Sequence, residues 1–178
     1  MDYLITKWKI WYNSLDVNHD GTISMEDVEE SRQKFTSLHH LAAEQGRKVE
    51  QNFEEWWNKY IFRGKTGNIS QDEFVDALKK EFNADKAKFV NEMTECFNSF
   101  FDVIDTNKDR SISEDEFLIA FKAYGHENVA LDSKFFQAYN PTDGLVPLRK
   151  IVESWIQFVT SEDSSITDVV KNAFEAGV

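Results

Sequence analysis

Residues 105–116, DTNKDRSISEDE, carry an oxygen-bearing side chain at almost every second position. Taken as a twelve-residue loop, the stretch puts Asp105, Asn107 and Asp109 at positions 1, 3 and 5, with Glu116 at position 12. Ser111 at position 7 offers its backbone carbonyl, and Ser113 at position 9 reaches an ion through a water. Calcium is a hard cation that takes six to eight oxygens, and a sharply turning loop that aims alternate side chains inward supplies them. Ile112 at position 8 is the apolar residue through which such a loop pairs with a neighbour in a short β contact. Phe97, Phe100, Phe101 and Ile104 recur at helical spacing before the loop, and Phe117, Ala120 and Phe121 follow it. One position departs from the pattern: Arg110 stands at position 6, where Gly supplies a positive φ. A non-Gly residue there costs roughly 1 kcal/mol, which weakens a site without abolishing it. Glu114 and Asp115 are the acidic neighbours expected to meet the Arg110 side chain. A plain polar turn accounts for the hydrophilicity but not for six ligand positions combined with an apolar position 8.

Working outward, the same arrangement recurs at residues 16–27, DVNHDGTISMED. Asp16, Asn18 and Asp20 take positions 1, 3 and 5, Gly21 position 6, Thr22 position 7 through its carbonyl, and Ile23 position 8. Asp27 replaces the usual Glu at position 12. Its carboxylate is one methylene shorter, which favours a smaller, six-coordinate ion and relaxes discrimination against magnesium. Ser24 and Asp27 also have the spacing of a helix-capping pair, a role compatible with ion binding.

Two further loops keep the frame and lose the ligands. Residues 62–73 retain Gly67, Ile69, Ser70 and Glu73 at positions 6, 8, 9 and 12, but positions 1, 3 and 5 are Phe62, Gly64 and Thr66. Residues 139–150 retain Asp143, Gly144 and Val146, while positions 1, 3 and 12 are Tyr139, Pro141 and Lys150. Both are expected to be inert, the Lys150 ammonium standing where a cation belongs. The repeat is therefore four helix–loop–helix units, paired through Ile23 with Ile69 and Ile112 with Val146. The expected architecture is all-α: two pairs, residues 1–85 and 86–178, packed into one compact globule, the second carrying a C-terminal tail helix. Helices are expected at 3–15, across 25–62 with a break near Leu41–Gly46, and at 151–159, with a turn at Asn83–Asp85 and a Gly125 cap.

Composition narrows the function. A net charge of -12 over 178 residues argues against nucleic acid and anionic membrane surfaces. No apolar run reaches the roughly 18 residues of a membrane span, no signal peptide is apparent, and Cys96 is the only cysteine. These features point to a cytosolic monomer. Only three Met are present, one of them the start and one inside the first loop, too few for the adaptable groove of a calcium sensor. No nucleophile–base pair stands out, so no enzymatic activity is expected.

Two ligand-bearing loops, Asp27 closing the first, a ligand-poor second loop, the DTNKDRSISEDEF segment and heavy use of Phe together resemble the invertebrate sarcoplasmic calcium-binding proteins of the EF-hand superfamily. The resemblance covers essentially the whole chain. It implies an all-helical buffer of calcium and magnesium in the cytoplasm of muscle, here with two sites. Related coelenterazine-binding proteins and calcium-triggered photoproteins hold an apolar ligand in a central cavity, so a calcium-responsive carrier is the alternative. The 15 Phe and 5 Trp would line such a cavity, or simply pack as a core. The photoprotein pattern wants a His near the aromatic residues of the last helices. His126 is the last His here, which argues against light emission.

Overall fold

Leu4, Trp8, Trp11 and Leu15 recur every three to four residues along α1 (Asp2–Leu15), and all four are buried. The computed structural model describes residues 1–178. After the first loop, α2 (Met25–His39) starts from a capping box in which Ser24 and Asp27 satisfy each other's backbone N–H groups, and it stops at His40 in the left-handed region. α3 (Ala43–Trp56) follows, so the expected break falls at residues 40–42. α3 then runs into a π-helical turn, Trp57–Phe62, which the 3.6-residue periodicity does not reveal. Its wider winding brings Trp57, Ile61 and Phe62 inside together.

α4 (Gln71–Ala84) and α5 (Lys86–Ile104) meet at Asp85, whose carboxylate caps α5 by accepting from Lys88 N–H. β1 (Ser111–Ser113) and α6 (Glu114–Ala123) come next, α6 ending at Gly125 with φ +86° and bonds from Gly125 and His126 N–H back to Lys122 and Phe121. α7 (Val129–Ala138), β2 (Leu145–Pro147), α8 (Leu148–Thr160) and α9 (Val169–Glu175) complete the chain.

The loops pair as their position-8 residues require. β1 and β2 form an antiparallel ribbon with Ile112 opposite Val146, and Ile23 bridges Ile69. Four helix–loop–helix units in two pairs are thus present. Their apolar faces are not buried separately. One cluster of 42 buried residues draws on both pairs, and α2 packs extensively on α6, as α5 does on α8. The tail is tied down through Lys7, fully buried on α1, whose Nζ donates to the Ser161 carbonyl at 2.7 Å and to Asp168 Oδ2 at 3.3 Å. No helix is long and apolar enough to cross a membrane.

Candidate metal centres

In the first loop, the last turn of α1 delivers Asp16 and the first turn of α2 delivers Asp27, so two buried carboxylates face each other across the turn. The loop is wound around them by its own backbone. Asp16 accepts from Gly21 N–H at 2.8 Å and Asp20 N–H at 3.2 Å, and Asp20 accepts from Thr22 N–H at 3.0 Å. Asn18 Oδ1 accepts from Asp20 N–H at 3.3 Å, and Asp27 accepts from Asn18 N–H at 3.2 Å and Ser24 N–H at 2.8 Å. Gly21 supplies the turn with φ +86°. One oxygen from each of Asp16, Asp20 and Asp27 lies within 4.8 Å of the others.

Such a cluster is electrostatically costly by itself. Burial pushes the Asp27 carboxyl up to about 6 and the Asp16 carboxyl above its ordinary range, with the neighbouring carboxylates adding to the rise. A divalent cation among these oxygens supplies the missing counter-charge, so the residues fit one.

The third loop is built alike and stands more open: Asp105, Asp109 and Glu116 do not converge within the same 4.8 Å. Asp105 is fully buried; its Oδ2 accepts from Arg110 N–H at 3.0 Å, while Oδ1 has no partner in the chain. A buried carboxylate oxygen without a donor is what a cation ligand looks like before the cation is counted. Asn107 accepts from Asp109 N–H at 3.2 Å, and Asp109 accepts from Ser111 N–H at 2.9 Å. Glu116, closing the loop from α6, accepts from Ser113 N–H at 3.1 Å and Thr106 N–H at 3.3 Å. Arg110 has the positive φ its position demands, 62°, and Lys108 has 57°. The Arg110 side chain does not meet Glu114 or Asp115. It turns back to the entering helix and pairs with Asp102 Oδ1 at 3.0 Å, where Lys108 also binds, because position 6 directs it away from α6.

The other two loops close without a carboxylate set. Phe62 and Tyr139, at position 1, are both buried, and the Lys150 ammonium donates to the Tyr139 carbonyl, joining the ends of the fourth loop by a cation of the chain itself. Tyr12 is buried on α1 among its apolar residues. Its hydroxyl lies between the first and second loops, donating to the Ile69 carbonyl at 2.6 Å and accepting from Ile23 N–H at 3.2 Å. The only signal for this was the residue type, an aromatic ring with a polar tip.

No family model matches the chain. It is 54% identical over 176 residues to a sarcoplasmic calcium-binding protein of Mizuhopecten yessoensis, covering 98% of the chain and 99% of that relative. Among solved structures, the calcium-loaded apo form of the coelenterazine-binding protein of Renilla muelleri superposes with a TM-score of 0.74 at 24% identity, covering 97% of this chain and 94% of that one. The calcium-regulated photoprotein mitrocomin of Mitrocoma cellularia gives 0.69 at 18% identity, covering 97% and 90%. Those two likenesses are of fold.

Proposed function

The chain belongs to the sarcoplasmic calcium-binding proteins, and from that premise we propose that it is a calcium and magnesium buffer with two ion-binding loops, the first and the third. Calcium is the ion the family binds. The observation that carries the assignment to loops is the convergence of Asp16, Asp20 and Asp27 within 4.8 Å, two of the three buried. The partnerless Oδ1 of Asp105 supports the same reading for the third loop. In this account Asp16, Asn18, Asp20, the Thr22 carbonyl and Asp27 hold one ion, and Asp105, Asn107, Asp109, the Ser111 carbonyl and Glu116 hold the other. The closer first cluster, ending in the shorter Asp27, accepts magnesium more readily, and Glu116 favours calcium.

The division at Asp85 belongs to this proposal, each pair joining one ion-binding loop to one that completes its β contact. So do a monomeric state and a cytoplasmic location, the sarcoplasm of the family's name. The carrier alternative has less behind it. The central void lined by Trp11, Trp56, Phe97, Tyr124, Trp155 and Phe174 offers a water-sized sphere only about 30 Å³. Pockets for drug-sized molecules measure roughly 300–1,000 Å³, so the space suits a water or two.

Titration calorimetry with calcium after chelator treatment tests the buffer. Two sites are expected, with Asp16→Ala and Asp105→Ala each removing one. A third site, or loss of both in either variant, contradicts the assignment.

A further inference from the structure

Tyr12 sits on the last turn of α1, is 1% exposed, and packs its ring on Phe74 at 5.5 Å. Its hydroxyl has one proton and spends it on the Ile69 carbonyl of the second loop at 2.6 Å. The oxygen is then left to accept, and it accepts from Ile23 N–H at 3.2 Å. Burial raises the pKa of this phenol above its ordinary value, so the proton stays in place at neutral pH.

The Ile23 N–H belongs to the same peptide group as the Thr22 carbonyl. All peptide bonds here are trans, so the N–H and C=O of that group point in opposite directions. Holding Ile23 N–H outward against Tyr12 aims the Thr22 oxygen into the loop, where position 7 contributes its carbonyl to the ion. None of the loop backbone hydrogen bonds ends on the Thr22 carbonyl.

The first loop needs this hold more than the third. In the third loop Ile112 lies inside a ribbon of three residue pairs, Ser111 to Ser113 against Leu145 to Pro147. In the first pair there is one isolated bridge: its Ile69 N–H to Ile23 carbonyl bond is an ordinary 2.9 Å, but the bond on the Ile23 N–H, to the Ile69 carbonyl, is 3.4 Å long, beyond ordinary amide geometry. Phe101, at the corresponding place before the third loop, has no hydroxyl.

We propose that Tyr12 is a positioning residue for the first ion site, its hydroxyl orienting the Thr22–Ile23 peptide so that the Thr22 carbonyl faces the ion. The second loop, which lacks ligands, thereby has a role in binding: the Ile69 carbonyl takes the phenolic proton and turns the oxygen's free lone pair toward Ile23. The inference rests on the reading that the first loop binds an ion.

The test is calcium titration of the Asp105→Ala chain, in which only the first loop remains, with and without Tyr12→Phe. Removing the hydroxyl takes away two neutral hydrogen bonds, of which the one from Ile23 N–H orients the Thr22–Ile23 peptide, and its loss is expected to weaken that site about three- to ten-fold. In the Asp16→Ala chain, Tyr12→Phe should leave the third-loop affinity unchanged, whereas a general loosening of the fold would weaken both. An unaltered first-loop affinity, or equal weakening of both loops, overturns the proposal. If the Asp105→Ala chain takes up no ion at all, the reading of the first loop fails, and the proposal with it. Should Tyr12→Phe not fold, proton NMR of the calcium-loaded wild-type chain decides. A slowly exchanging Tyr12 hydroxyl proton with a cross-peak to the Ile23 amide supports the arrangement, and its absence overturns it.

Discussion

Asp132 is carried fully into the interior on α7 with neither carboxylate oxygen hydrogen bonded. Burial raises its carboxyl from 3.8 to about 7, against the opposing pull of Lys122. A carboxyl whose folded pKa exceeds its unfolded one leaves the native chain holding the extra proton. The resulting penalty is absent below about pH 4 and complete above about pH 7, so stability falls as pH rises through that window. Asp132→Asn should remove the penalty, gaining about 1–3 kcal/mol at pH 8 and little at pH 4. Urea unfolding in excess calcium measures this, and an unchanged pH slope would mean that the carboxyl finds a partner in solution. In the third loop, Arg110 holds φ 62° at a position suited to Gly. Arg110→Gly should tighten calcium binding there about five-fold by relieving roughly 1 kcal/mol of strain. The lost surface pair with Asp102 is worth only about 0–1 kcal/mol, so equal or weaker binding would show that the pair outweighs the strain. In the first loop, Asp27→Glu should raise the preference for calcium over magnesium, read by competition titration; no change would mean that Asp27 already gives two oxygens. That Asp16, Asp20 and Asp27 come together was legible because their spacing is local. The roles of Tyr12 and Asp102 were not, since they depend on where a side chain points and, for Tyr12, on a carbonyl 57 residues away.

At the scale of elements, helix boundaries followed from apolar spacing and from caps such as Ser24, Asp85 and Gly125, each satisfying backbone groups that a helix end leaves open. The π-helical turn at Trp57–Phe62 escaped because its extra residue per turn answers to the interior it packs against, not to its own pattern. α9 is the tail helix that the sequence leads one to expect, yet its own residues do not account for its stability. A helix of 7 residues is too short to hold itself together in isolation. It persists because Asp168 caps Lys171 N–H at 2.9 Å and pairs with buried Lys7, while Phe174 lies against Trp155 and Phe158. Removing one member of a buried pair strands the other, so Asp168→Ala and Lys7→Ala should each cost about 3–5 kcal/mol. The double substitution should cost clearly less than the sum, as thermal unfolding of the four chains would show. Additive losses would mean that Lys7 acts mainly through the Ser161 carbonyl.

At the scale of the whole molecule, two loop pairs share one aromatic interior, with Trp11 of α1 touching Phe74 of its own pair and Phe97 of the other. The sequence carried the repeat and the pairing of the loops. It could not say how the pairs dock, because α2 against α6 and α5 against α8 are contacts between distant segments with no local signature. Nor did aromatic content distinguish a cavity from a core; only packing reveals that the central void has room for no more than a water or two. In the proposed reading, part of the net charge of -12 is ligand charge carried by the first and third loops. Native mass spectrometry of the chelator-treated chain titrated with calcium tests this most directly. The account predicts saturation at two calcium ions, falling to one in the Asp16→Ala chain and to one in the Asp105→Ala chain. Saturation at one ion or at three, or two ions retained in either variant, would contradict it.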